Sequence, residues 1–160
     1  MFDNNKSGDP IENLRIMVSS AKSVTENEPN IIANLANISA VIYLYLDRIN
    51  WAGFYIFDGT ELVLGPFQGK PACVRIQLGR GVCGTAAKEG RPIIVADVFA
   101  FPGHIACDAE SRSEIVIPIF MKSGALYGVL DIDSPETGRF SEMEKDALSE
   151  IVELVEGMMG

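Results

Sequence analysis

Between Asn50 and Asp133 the apolar residues of this chain stop recurring at helical spacing and fall into short runs cut by turns. Helical spacing holds on both sides of that stretch. Asp9-Pro10 pairs a capping side chain with proline at a first helical position, and Ile11, Leu14, Met17, Val18 and Ala21 follow at intervals of three and four. This predicts a helix to about Thr25, broken at Asn27-Glu28-Pro29. A second helix is expected from Asn30 to about Asp47, with Ile31, Leu35, Ile38 and Ile42 as its stripe. At the other end, Ser141 and Glu144 have capping-box spacing, and Leu148, Ile151, Val152 and Val155 share one face of a last helix.

The stretch between the helices reads as a strand meander. Trp51–Phe57 and Glu61–Phe67 flank the turn dipeptide Asp58-Gly59. Further strands are expected at Cys73–Ile76, Pro92–Asp97, Glu114–Phe120 and Ala125–Asp133, with a short helix from Val82 to Lys88 closed by Gly90. Pro118 suggests a sheet edge or a bulge. Residues 98–112 have no clear period and read as a structured loop, which in a compact domain points to function. The expected fold is α+β: a central, mostly antiparallel sheet flanked by two N-terminal helices and one C-terminal helix.

The 160 residues fit one domain, expected over residues 9–160 behind a frayed tail at 1–8. Thirteen basic residues against 22 acidic ones argue against nucleic acid and anionic membrane surfaces as partners. The polar start of the chain lacks the apolar core of a signal peptide, so the expected location is the cytoplasm, where thiols stay reduced. The helical stripes are open to two uses, a homodimer face or burial on the sheet.

With one histidine, His104, multi-histidine metal sites are improbable, and three cysteines make a poor disulfide framework. Cys83 reads first as a buried small hydrophobe. Cys107 lies in the irregular loop near His104 and Arg112, which favour a thiolate, and near Asp108 and Glu110, which oppose one. Two thiols in contact could run sulfenic acid and disulfide chemistry without metal or cofactor. A zinc site of Cys73, Cys83, His104 and Cys107 is the alternative, at irregular spacing.

Asp131 and Asp133 share one strand face, and Glu114 begins the neighbouring strand. Such acids either sit exposed at a strand end or form a pocket for an ammonium group, with one of them able to donate a proton. Trp51 and Tyr55 are either core or the wall of a small pocket.

Four stretches together carry a resemblance: Asn50–Tyr55, Leu64–Gly69, Gly79–Ala86 and Leu130–Pro135. They resemble the free methionine-(R)-sulfoxide reductases, single GAF-domain enzymes. The resemblance implies a GAF-like fold and reduction of free L-methionine-(R)-sulfoxide, with electrons from thioredoxin or another dithiol and no bound cofactor or metal. It implies Cys107 as nucleophile, Cys73 as resolving cysteine, and Cys83 as a third cysteine open to an alternative resolving role or a nucleophilic one. It implies Glu114, Asp131 and Asp133 as the acidic substrate pocket, with Trp51 and Tyr55 as its wall. A non-catalytic GAF sensor of a small molecule and a zinc- or redox-sensing protein are the competing readings.

Overall fold

A computed structural model describes residues 2, 4–104 and 107–159. Four helices and a six-stranded sheet follow one another as α1 (Pro10–Val24), α2 (Ile31–Tyr45), β1 (Trp51–Phe57), β2 (Glu61–Gly69), β3 (Arg75–Gln77), α3 (Gly81–Glu89), β4 (Ile93–Val95), β5 (Ser113–Phe120), β6 (Leu126–Ser134) and α4 (Glu142–Met158). A single 3-10 turn at Val98–Ala100 opens the long loop. The expected α+β architecture is the one observed.

Local chemistry sets the helix ends. Asp9 accepts from the Ile11 N–H with Pro10 at the first helical position, and Asn30 accepts from the Ala33 N–H. Ser141 and Glu144 complete the capping box of α4. Gly90 closes α3 at φ 67°, a left-handed conformation that costs glycine nothing.

The strands lie in the order β3-β2-β1-β6-β5-β4, every pair antiparallel. The two central strands are therefore first and last in the meander. Pro118 pairs across to Val129 on β6, but three-residue β4 reaches only as far as Val116, so the ring faces no ladder there. A register shift follows between Ile119 and Phe120.

Alternation sends the two faces of the sheet to different surroundings. Ala52, Phe54, Ile115, Ile117, Leu130 and Ile132 face the stripes of α1, α2 and α4, and this is the main core. The helical stripes are thus spent on the sheet. The other face carries Trp51, Tyr55, Val116 and Val129 and packs against α3 through Val82, Cys83, Ala86 and Ala87. One short helix covers less of a sheet than three long ones, and loops complete the cover.

Of the first eight residues, expected to fray, Met1 and Asp3 lie outside the described residues. Lys6 pairs with Asp47 at 2.5 Å, and Ser7 and Asn13 exchange two hydrogen bonds. Among the described residues no helix is long and apolar enough to cross a membrane.

Candidate functional site

The register of the three central strands builds the floor of the site. On β6, Asp133 stands opposite Trp51 of β1 and Glu114 of β5, and Asp131 stands opposite Gly53 and Val116. All three carboxylates and both aromatic residues therefore share the face under α3. Gly53 carries no side chain where β1 also bulges against β2, and a Cβ there would meet the Pro66 carbonyl oxygen at 2.9 Å.

These acids are not at an exposed strand end. Glu114 and Asp131 are 8% and 5% exposed. Burial, reinforced by Asp131, pushes the Glu114 carboxyl well above its ordinary range. Burial and Asp133 do the same to Asp131, and burial and Glu114 to Asp133. Asp131 Oδ1 is buried with no hydrogen-bond partner among the described residues. A floor of this kind holds protons until a cation arrives, and it is unpaired enough to want one.

Cys83 stands in the first turn of α3, buried, with its sulfur 3.7 Å from Glu114 Oε1. Burial, then Asp131 and Glu114, push its thiol pKa up, so the sulfur stays protonated. That fits a small buried group that donates to an acid better than a nucleophile.

Cys73 and Cys107 are joined as a disulfide, Cα to Cα 5.5 Å, across 34 residues of sequence. Cys73 was expected inside a strand. It precedes β3 instead, because the ladder with β2 starts only at Arg75, opposite Val63. Cys107 lines the same cavity as Trp51, Tyr55, Cys83, Glu114 and Asp133. The disulfide therefore borders the cavity that Glu114 and Asp133 line, with Asp131 beside them on the same sheet face.

Of the two expected helpers of a Cys107 thiolate, Arg112 is held by other groups. Arg112 lies 4.7 Å over the Phe99 ring and 3.3 Å from Asp97. His104 lines the cavity, but burial lowers its pKa and favours the neutral ring. The zinc set of Cys73, Cys83, His104 and Cys107 does not form one donor cluster, since two of its sulfurs are bonded to each other. Among the described residues, the metal-competent atoms that lie within 4.8 Å of one another belong to Cys83, Glu114 and Asp131.

The wall is aromatic. Trp51 stacks on Tyr55 at 5.8 Å and on Phe67 at 5.2 Å between ring centres. Sequence reading missed Lys70 and Arg80, which also line the cavity. Lys70 reaches Glu110 at 2.8 Å and so links the segments that carry the two bonded cysteines. The turn residues Gly69 and Gly79-Arg80-Gly81 were the available signal, since turns flanking a short helix place such side chains at a cavity rim.

The GAF domain family model matches residues 30–159. The free methionine-R-sulfoxide reductase of Escherichia coli K12 is 52% identical over 82% of this chain and 79% of its own. This chain belongs to the GAF-domain free methionine-R-sulfoxide reductases. The enzyme of that name from Saccharomyces cerevisiae is 44% identical over 90% of this chain and 84% of its own. The X-ray structure of the Neisseria meningitidis free methionine-R-sulfoxide reductase in complex with its substrate superposes with a TM-score of 0.94. It has 42% identity and covers 99% of this chain and 95% of that one.

Proposed function

We propose that this chain reduces free L-methionine-(R)-sulfoxide to methionine, with Cys107 as the attacking thiol and Cys73 as the resolving one. The observation that carries the assignment of roles is the Cys73–Cys107 disulfide, whose Cys107 borders a cavity lined by Glu114 and Asp133, with Asp131 beside them on the same sheet face. Residues 9–160 act as one GAF domain.

The substrate's ammonium group goes to Asp131 and Asp133, and the buried Asp131 Oδ1, without a hydrogen-bond partner among the described residues, favours a cation. As the cation enters, its charge lowers their pKa values and they ionise. A peptide-bound residue has no ammonium to offer and would leave these acids unpaired, which is a strong basis for rejecting it. The methyl and methylene groups pack on Trp51, with Tyr55 completing the wall.

Glu114 keeps its proton and donates it to the sulfoxide oxygen as the Cys107 sulfur attacks. The oxygen passes to Cys107. The sulfoxide sulfur gains two electrons and becomes a thioether, while the thiol loses two and becomes a sulfenic acid. The Cys73 sulfur then attacks Cys107, expels water and forms the disulfide. A thioredoxin-type dithiol in the cytoplasm restores both thiols and is itself oxidised to a disulfide. Cys83 stays reduced and holds Glu114 in place.

An epimer-resolved assay with dithiothreitol tests this. The wild-type protein should consume the free R epimer, spare the S epimer and peptide-bound sulfoxide, and lose turnover in Cys107→Ser. Full activity in Cys107→Ser would remove the nucleophile assignment.

A further inference from the structure

Two side chains of β1 hold the segment that carries Cys73. The Tyr55 hydroxyl donates to the Cys73 carbonyl oxygen at 2.8 Å, and the Trp51 indole N–H donates to the Lys70 carbonyl oxygen at 3.2 Å. The Leu64 N–H adds a third bond, to the Val74 carbonyl oxygen at 2.8 Å. Residues 70–74 have no helix or strand of their own beyond Gly69 and before Arg75. Their position is thus set by a buried aromatic pair and one backbone bond.

The segment that carries Cys107 is tied down differently. Its ends are fixed by Val98 N–H to the Arg112 oxygen at 2.8 Å and by Arg112 N–H to the Ser134 oxygen at 2.7 Å. Between those ends, the bonds among described residues are mostly local. His104 N–H reaches the Phe101 oxygen, Ser111 N–H the Asp108 oxygen, and Glu110 N–H the Asp108 side chain. Among the described residues, ties that leave the loop include Asn50 to Ser111 at 3.2 Å, near its end, and the exposed Lys70–Glu110 pair. An exposed ion pair holds little.

From these bonds we infer that Tyr55 is a positioning residue for disulfide closure: its hydroxyl fixes the Cys73 backbone within reach of Cys107. The inference rests on the proposed roles of Cys107 and Cys73. It gives Tyr55 a task separate from walling the substrate. Burial, then Asp131, raise the Tyr55 pKa, so the hydroxyl remains a donor throughout the working range. The strand below is anchored on both sides, by β2 and β6, so the donor does not move with the loops.

Hydrogen peroxide separates closure from substrate binding. Peroxide converts the Cys107 thiol to sulfenic acid and releases water, and the Cys73 thiol then closes the disulfide and releases a second water. The experiment treats the reduced full-length protein with peroxide, quenches with dimedone at intervals and reads adducts and disulfides by mass spectrometry. In Tyr55→Phe, closure should slow about fivefold or more, the worth of one net hydrogen bond, and a dimedone adduct should build up on Cys107. Trp51→Phe should show a lag in the same direction.

A purely structural defect would not single out the sulfenic acid. Wild-type closure rates in both variants, or closure through Cys83, would overturn the inference. If the peroxide result holds while wild-type protein releases no methionine from the sulfoxide, the functional reading falls and the positioning role stands.

Discussion

The two faces of β1, β6 and β5 are made by the same strands and do opposite things. Phe54, Leu130, Ile115 and Ile117 look toward three long helices and bury apolar surface with no titratable group among them. One residue along, Tyr55, Asp131, Glu114 and Val116 look toward α3 and two loops. The first face stabilises the sheet. The second loses stability by burying three acids and gains a reactive cavity. A strand alternates with period two, so a single sheet can be core on one side and chemistry on the other without either interfering.

The largest effects separate the faces most cleanly. Glu114→Gln should lower turnover about 10²- to 10⁴-fold through loss of the proton donor, with thermal stability unchanged or higher. Steady-state rates and a melting curve on one preparation check both halves. Phe54→Ala should do the reverse. It should cost about 3–5 kcal/mol by urea unfolding, while the fraction that remains folded keeps its rate. A Phe54→Ala protein that is stable but inactive would dissolve the distinction.

The acids also give the second face its own pH dependence. Their folded pKa values lie above the ordinary carboxyl range, so the folded chain holds protons that the unfolded chain has released. Their contribution is therefore fully present below about pH 4 and is lost as pH rises through the folded values. Denaturant midpoints across pH should show this decline, and Glu114→Gln should flatten it. A steeper decline in the variant would contradict the assigned direction. The smallest effect lies far from the cavity. Ser141→Ala removes the capping box of α4 and should cost about 0.5–2 kcal/mol with no change in turnover.

Much of the main-core face was legible before any coordinates. Helical spacing in α1, α2 and α4, the caps at Asp9 and Ser141, and the turn at Asp58-Gly59 are local signals, and each held to within a residue or two. The parity of Asp131 and Asp133, with Glu114 on an antiparallel neighbour, was also local and correctly placed the three together. What parity could not decide was which face they share, the solvated one or the one under α3. That depends on how far α3 and the loops reach across the sheet.

Cys73 looked like a strand residue because Cys73-Val74-Arg75-Ile76 is a short, mostly apolar run that follows Gly69-Lys70-Pro71. The pairing partner on β2 becomes available only at Val63, opposite Arg75, and the cysteine is left in the connection. Its meeting with Cys107 spans 34 residues, and no local signal reports it. The contacts of Arg112 were hidden for a similar reason. Sequence proximity to Cys107 did not reveal that Phe99 and Asp97 hold the guanidinium.

The most direct test of the division between the faces is a single turnover without reductant. Fully reduced protein is mixed with excess free methionine-(R)-sulfoxide, the methionine is counted and the thiols are mapped. The account predicts one methionine per chain, a Cys73–Cys107 disulfide, and Cys83 recovered as an alkylatable thiol after unfolding. No methionine, or a disulfide that contains Cys83, would contradict it.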